Sequence, residues 1–269
     1  MTNKLIFIIL VVAMIVAAGV ILAWQFWPST PSPTPSPAAT STPLTPTPSD
    51  QVGWSCGDSI TYNGQDYSTV QIGDQCWLAE NLNIAPNSAD NPDCFGGTKY
   101  CYDNKSSNCD IYGGLYTWSD MMCGELSSNS KPSGVHGICP DGWHLPSDSE
   151  WHTLEDYLTG SGNTCNGTRY ASYDCNPAGS KMAGNASFWI NDSLNQHADF
   201  GTSGLGILPA GRHSDSGSFS GESTRAYLWS STEESGTLAW MRGLLLRSSK
   251  VYRAPSAKGY GFSVRCVRD

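Results

Sequence analysis

Ten cysteines, all downstream of residue 55, constrain this chain more than any other feature. They are Cys56, Cys76, Cys94, Cys101, Cys109, Cys123, Cys139, Cys165, Cys175 and Cys266. An even number in the part of a chain that follows an apolar leader reads as a disulfide framework made in an oxidising compartment. There is no C-x-x-C and the spacings are irregular, which argues against a zinc site. Spacing leaves the connectivity open. The pairs expected are Cys165 with Cys175 and Cys101 with Cys109 as short loops, and Cys139 with Cys266 as a long-range clasp. Full pairing leaves no free thiol for chemistry.

The leader is residues 5–27, which carry no charge and only Gln25 as a strongly polar member. At about 1.5 Å per residue this run is long enough for a hydrocarbon core of about 30 Å. A cleaved signal peptide has a shorter apolar region, about 7–15 residues. Residues 1–27 are therefore expected to be an uncleaved transmembrane anchor, with Trp24 and Trp27 at the interface and Lys4 inside. Residues 28–49 change abruptly to Pro, Ser, Thr and Ala without charge. Proline fixes φ and removes donors, so this stretch reads as an extended stalk of up to roughly 70 Å. The expected localisation is a single-pass protein of the cell membrane with residues 50–269 outside.

Residues 50–269 are long enough for one domain with a substantial core, and no second linker divides them. Helix signals are few. Ser147 and Glu150 form the reciprocal capping box of a helix to Leu158, with Trp151, Leu154, Tyr157 and Leu158 on its apolar face. Shorter helices are expected over 115–122 and near 179–183. Strands are expected over 61–72, 75–78, 205–211, 226–230, 237–246 and 261–267, separated by Gly, Asn, Ser and Asp turns. The fold class is α+β, loop-rich, with short strands and two or three helices.

The last thirty residues set a haphazard run inside an ordered frame. Trp240, Arg242, Leu244, Val251, Arg253, Gly261, Phe262 and Val264 look fold-specifying. Between them Met241, Gly243, Leu245, Leu246, Arg247, Ser248, Ser249, Tyr252, Ala254, Pro255, Ser256, Ala257 and Tyr260 follow neither a helix period nor a clean strand alternation, and all but Leu246 are candidate ligand-binding residues. Such a segment, 239–262, suits a displayed surface better than a core.

Six ordered blocks carry a family resemblance. They are VQIGDQCWLAENLN (70–83), YGGLYTW (112–118), CPDGWHLPS (139–147) with Glu150 and Trp151, LPAG (208–211), WSSTE (229–233) and GFSVRC (261–266). Together they resemble the Fibrobacter succinogenes major paralogous domain over residues 56–268. The resemblance implies a C-type-lectin-like fold related to the formylglycine-generating sulfatase-modifying enzymes. Proteins of that fold include the variable targets of diversity-generating retroelements, in which template adenines are randomised. Family members often carry asparagines where this chain has Gly243, Leu245, Arg247, Ser248, Tyr252, Ala254, Pro255, Ser256, Ala257 and Tyr260. Most of these are products of adenine substitution in an asparagine codon.

Three functions compete on this basis. The first is a displayed ligand-binding module whose C-terminal segment is a diversified binding face, for an unknown protein or surface glycan; ordinary loop drift in a non-diversified adhesin is its bland counterpart. The second is an oxidase of the formylglycine-generating type, which uses a cysteine pair near its C-terminus. No cysteine lies between Cys175 and Cys266, so that pair cannot be placed. His136, His144, His152, His197 and His213 show no strong metal spacing either, and Asp141, Asp148, Glu150 and Glu155 are accounted for by capping and solvation. The third is a calcium-dependent sugar binder; its oxygen-rich tripeptides are absent, while a structural calcium stays open because loops rich in Asn and Asp could supply six to eight oxygens. No cofactor and no catalytic residue is expected. The acidic balance, a formal net charge of −9, disfavours nucleic acid. Basic residues cluster late, at Arg242, Arg247, Lys250, Arg253, Lys258, Arg265 and Arg268, as a positive face or as scaffold arginines paired with acids.

Overall fold

The computed structural model describes residues 53–86, 94 and 97–269. Within the unit Pro48–Asp269, the chain starts with β1 (Ile60–Tyr62), β2 (Gln65–Tyr67), β3 (Thr69–Ile72) and β4 (Gln75–Leu78). The single strand expected over 61–72 is thus three. Asn63 and Gly64, with φ of 51° and 73°, turn the chain between the first two. There follow β5 (Lys99–Tyr100), α1 (Ser106–Tyr112), β6 (Leu115–Tyr116), α2 (Trp118–Met122), β7 (Trp143–His144), α3 (Asp148–Thr159), β8 (Ser172–Asp174) and α4 (Ala178–Met182). The C-terminal part is β9 (Ala210–His213), β10 (Phe219–Glu222), β11 (Arg225–Glu233), β12 (Leu238–Leu245), β13 (Val251–Ala257) and β14 (Val267–Arg268). This is an α+β architecture.

Two sheets carry the fold. One has the order β3-β4-β14-β7, and the other β10-β9-β11-β12-β13-β8. In the larger sheet only β9 and β11 run parallel. Tyr227, Trp229, Ala239, Met241 and Ala254 enter one core with Phe262 and Val264. The alternate residues Ala226, Leu228, Leu244 and Val251 enter a second core with Trp151, Leu154 and Leu158 of α3. A sheet buried on both faces reads as a near-continuous apolar run rather than an alternation. Strand β13, expected only as irregular surface, pairs with β12 and β8 and puts Val251 into one core and Ala254 into the other.

Helix α3 has the capping box: the Ser147 hydroxyl accepts from the Glu150 N–H at 3.1 Å and the Glu150 carboxylate accepts from the Ser147 N–H at 2.9 Å. Trp151 and Leu154 are fully buried and Leu158 nearly so. Burying a tryptophan removes about 200 Å² from water, roughly 5 kcal/mol at about 25 cal/mol per Å². The Trp151 indole N–H also donates to the Trp229 carbonyl at 3.1 Å. Tyr157 departs from expectation, being 61% exposed; it lies over Gly73, whose missing side chain leaves room for the ring. The helix expected over 115–122 is shorter because Thr117 is extended and caps α2, its hydroxyl accepting from the Asp120 N–H at 3.2 Å. Similarly β9 starts only at Ala210, after Pro209, which has no N–H to donate. Of the strand expected over 261–267, only Val267 is in a ladder, while Phe262 and Ser263 make isolated bridges to Tyr116 and Leu228.

Five disulfides brace the described residues: Cys56–Cys76, Cys94–Cys123, Cys101–Cys109, Cys139–Cys266 and Cys165–Cys175. The clasp Cys139–Cys266 closes a separation of 127 residues and holds the last strand beside β7. The expected single-pass membrane localisation needs correction. Among the described residues no helix is long and apolar enough to cross a membrane. The longest described helix, α3, has 12 residues. That is about 18 Å, well short of a hydrocarbon core of about 30 Å. Residues 1–27 and 28–49, read as anchor and stalk, lie outside the described residues.

Candidate ligand-binding face

The hairpin β12–β13 sorts its residues by strand alternation. On one side, the back, Arg242 pairs across the ladder with Arg253, and Leu244 and Val251 face α3. On the other, the front, lie Met241, Gly243, Leu245, Tyr252, Ala254 and Ser256, with Met241 opposite Ala254 and Gly243 opposite Tyr252. The front residues are not equally available. Met241 and Ala254 are about 5% and 4% exposed and belong to the core, and Gly243 is buried as well. These three therefore support the surface rather than form it. Leu245, Tyr252, Ser256 and Tyr260 are half-buried, and Arg247 is exposed on the turn with Ser248 and Ser249. Pro255 and Ala257 fall on the back, opposite Trp240 and Leu238, away from the rest of the candidate set.

Buried charge fastens the back of the hairpin. Arg242 Nη1 donates to Asp148 Oδ1 at 2.7 Å, its Nη2 donates to the Asp148 carbonyl at 3.0 Å, and its Nε bonds Glu155. Arg253 grips the same Asp148 with two bonds of 2.8 Å and also reaches the Arg169 carbonyl. Arg169 closes the cluster on Glu155 at 2.7 Å. Burial pushes the Asp148 carboxyl up, but the flanking Arg242 and Arg253 guanidiniums outweigh it and hold the group below its ordinary value. Asp148, Glu150 and Glu155 are buried, so the expectation that they are solvated is corrected. Arg265 is buried and, among the described residues, makes no salt bridge, donating instead to Asn81 Oδ1 and to the carbonyls of Leu78, Leu205 and Gly206. Arg242, Arg253 and Arg265 are thus scaffold. The positive face reduces to Arg247, Lys250 and Arg268 on the surface, while Lys258 lies over Trp118 and pairs with Glu233 at 2.6 Å.

The front gathers partners that the C-terminal run does not reveal. Strand β8 pairs with β13 and sets Tyr173 against Tyr252, with ring centroids 4.7 Å apart. Burial, and then Tyr252, push the Tyr173 phenol above its ordinary range, so it stays a neutral donor. On β11, Arg225 donates to the Tyr227 hydroxyl at 3.3 Å. On β9, Arg212 lies over the rings of Tyr260 at 5.0 Å and Tyr227 at 5.8 Å. Between Tyr173, Arg225, Leu245, Leu246 and Arg247 opens a groove of about 710 Å³. Tyrosine and arginine on a rigid base are the residue types that dominate contact energy in binding surfaces. Tyr173, Arg212, Arg225 and Tyr227 all precede β12, and only the sheet order brings them here.

Metal chemistry finds a poor donor set. Among the described residues the one group with metal-ligating spacing is His152, Glu155 and Cys165. The Cys165 sulfur is spent on Cys175, and the Glu155 carboxylate is held by Arg169 and Arg242. His144 is buried and bonds Glu150 at 2.8 Å and Asp269 at 2.6 Å. His213 is stacked on Tyr100 at 4.0 Å with Phe219 beside it, and burial lowers its pKa.

Comparison with family models matches residues 70–268 to the Fibrobacter succinogenes major domain. The chain belongs to this family. Neither the curated proteins nor the solved structures compared with it gave a match. The matched stretch of the Fibrobacter succinogenes major domain includes the core behind the hairpin, the charge cluster and every residue of the groove, while Tyr62 and Tyr67 of the other core precede it. It begins at Val70, so β1, β2 and Cys56 precede it, although the resemblance was expected to reach back to residue 56.

Proposed function

We propose that this domain is a non-catalytic ligand-binding module of C-type-lectin-like design, whose contact surface is the front of the β12–β13 hairpin with the turn that joins its strands. The observation that carries the reading is the division of the hairpin. Arg242, Leu244, Val251 and Arg253 are locked to α3 from behind, while Leu245, Arg247, Ser248, Tyr252, Ser256 and Tyr260 keep solvent-accessible surface in front or on the turn. A frame held independently of its patch lets the patch change chemistry without unfolding the domain. That is the physical requirement for a segment diversified by a retroelement. Substitution of the exposed Arg247 removes little packing and costs on the order of 0.5 kcal/mol or less, while the half-buried Leu245, Tyr252 and Tyr260 give up part of their ring and core contacts when changed. Met241, Gly243 and Ala254 are excluded from contact and act through the shape they give the surface.

The experiment is to sequence the DNA flanking the gene. The account expects a reverse-transcriptase gene and a near-copy of the 3′ coding segment that differs from it only at template adenines. Mismatches of every base type, or no near-copy at all, would remove diversification and leave an unvaried binding domain.

A further inference from the structure

The groove on this face has a chemistry of its own, and resting on the reading above we infer that it takes a carboxylate carried on an acidic peptide segment. Two arginines line it, Arg225 from the start of β11 and Arg247 from the turn after β12. Among the described residues Arg225 has no carboxylate within salt-bridge distance; its guanidinium donates to the neutral Tyr227 hydroxyl at 3.3 Å. Arg247 is 86% exposed and touches Asp192 at 3.6 Å, a loose surface pair worth little and readily exchanged for another carboxylate. The forked donors of arginine match the two oxygens of a carboxylate, which makes such pairs stronger and more directional than neutral hydrogen bonds.

The rest of the lining decides between a peptide and a sugar. A sugar presents hydroxyls that need both donors and acceptors. Among the described residues the lining carries no carboxylate to accept from sugar hydroxyls, and its aliphatic hydroxyls are partly engaged: Thr224 donates to the Gly221 carbonyl at 3.0 Å, and Ser248 accepts from the Lys250 N–H at 3.1 Å. The strongest polar groups are the guanidinium donors, and beside them stand the apolar side chains of Leu245 and Leu246 and the Tyr173 ring with its neutral phenol. This lining suits a carboxylate next to an aliphatic or aromatic side chain. At about 710 Å³ the groove holds two or three residues, not a folded surface. The chain as a whole is acidic, with a formal net charge of −9 that includes the two groove arginines, so an acidic ligand is repelled elsewhere and gathered here.

The test is selection from a random-peptide phage library on the full-length, disulfide-bonded chain. The expected outcome is enrichment of sequences with Asp or Glu beside Leu, Ile or Phe. An enriched peptide remade with Asn and Gln should bind on the order of tenfold more weakly, as should the original peptide on the Arg225→Gln/Arg247→Gln variant. Both arginines are exposed, and an unchanged melting midpoint verifies that the variant is folded. Neutral enriched peptides, no enrichment, or tighter binding of oligogalacturonate than of any peptide overturns the inference. Tyr252→Ser separates the two claims. If it abolishes binding while the double arginine variant does not, the face stands and the carboxylate assignment falls; if neither weakens binding, both fall.

Discussion

Asp148→Asn is the sharpest perturbation of the frame. Its carboxylate accepts three bonds of 2.7–2.8 Å from Arg242 and Arg253, and its side chain is 8% exposed. The substitution keeps shape and removes the charge, leaving two buried guanidiniums short of a partner. Breaking a buried pair in this way costs about 3–5 kcal/mol. For a domain of this size each kcal/mol moves the melting midpoint by about 2–4 °C, so the expected fall is about 6–20 °C. The pH dependence supplies a second readout. The folded pKa lies below the ordinary aspartate value, so the stabilisation is fully present above that ordinary value and is lost as pH falls through the folded pKa. Urea titrations of both proteins, with disulfides intact, should show a constant gap at neutral and mildly acidic pH that closes below the unfolded pKa. A loss under about 1 kcal/mol at neutral pH, or a gap that persists unchanged in acid, refutes the assignment of Asp148 as the hairpin's anchor.

Three further outcomes follow from the same structure. His144→Gln should flatten a stability profile set by an imidazole whose pKa burial alone would lower but whose bonds to Glu150 and Asp269 raise above 6.5. The wild-type contribution is complete below the unfolded value and lost as pH rises through the folded one, so wild-type urea midpoints should decline through that window and the variant's should not. Replacing Cys139 and Cys266 together by alanine opens the 127-residue closure, and chemical denaturation should report a loss of about 5 kcal/mol. Gly179→Ala would bring a Cβ to 2.6 Å from the Lys250 carbonyl oxygen and 2.8 Å from that of Ser249, so the 246–250 turn must shift. Amide exchange should quicken there, with a stability cost of about 1–3 kcal/mol.

Much of the frame was legible because its signals are local. The capping box of α3, the paired cysteines and the six ordered blocks each lie within a few residues or depend only on count and order. Arg242 and Arg253 were readable as scaffold because arginine recurring among apolar residues of a strand must find acids, and α3 supplies Asp148 and Glu155. The face was only half legible. Alternation in β12 and β13 is masked because Met241 and Ala254 fill one core while Leu244 and Val251 fill the other. A buried Met and an exposed Leu look alike in sequence, so the buried Met241 and the half-exposed Leu245 were grouped together. Tyr173, Arg212, Arg225 and Tyr227 were missed because strand order, not sequence distance, assembles them.

The central claim is that a fixed back carries a changeable front, and saturation mutagenesis of residues 239–260 tests it most directly. Each variant would be displayed on cells, treated with protease and scored by the fraction that survives. The account predicts broad tolerance at Leu245, Arg247, Ser248, Tyr252 and Ser256, and near-complete loss at Arg242, Leu244, Val251 and Arg253. Survival that falls as steeply at the front positions as at the back would contradict it.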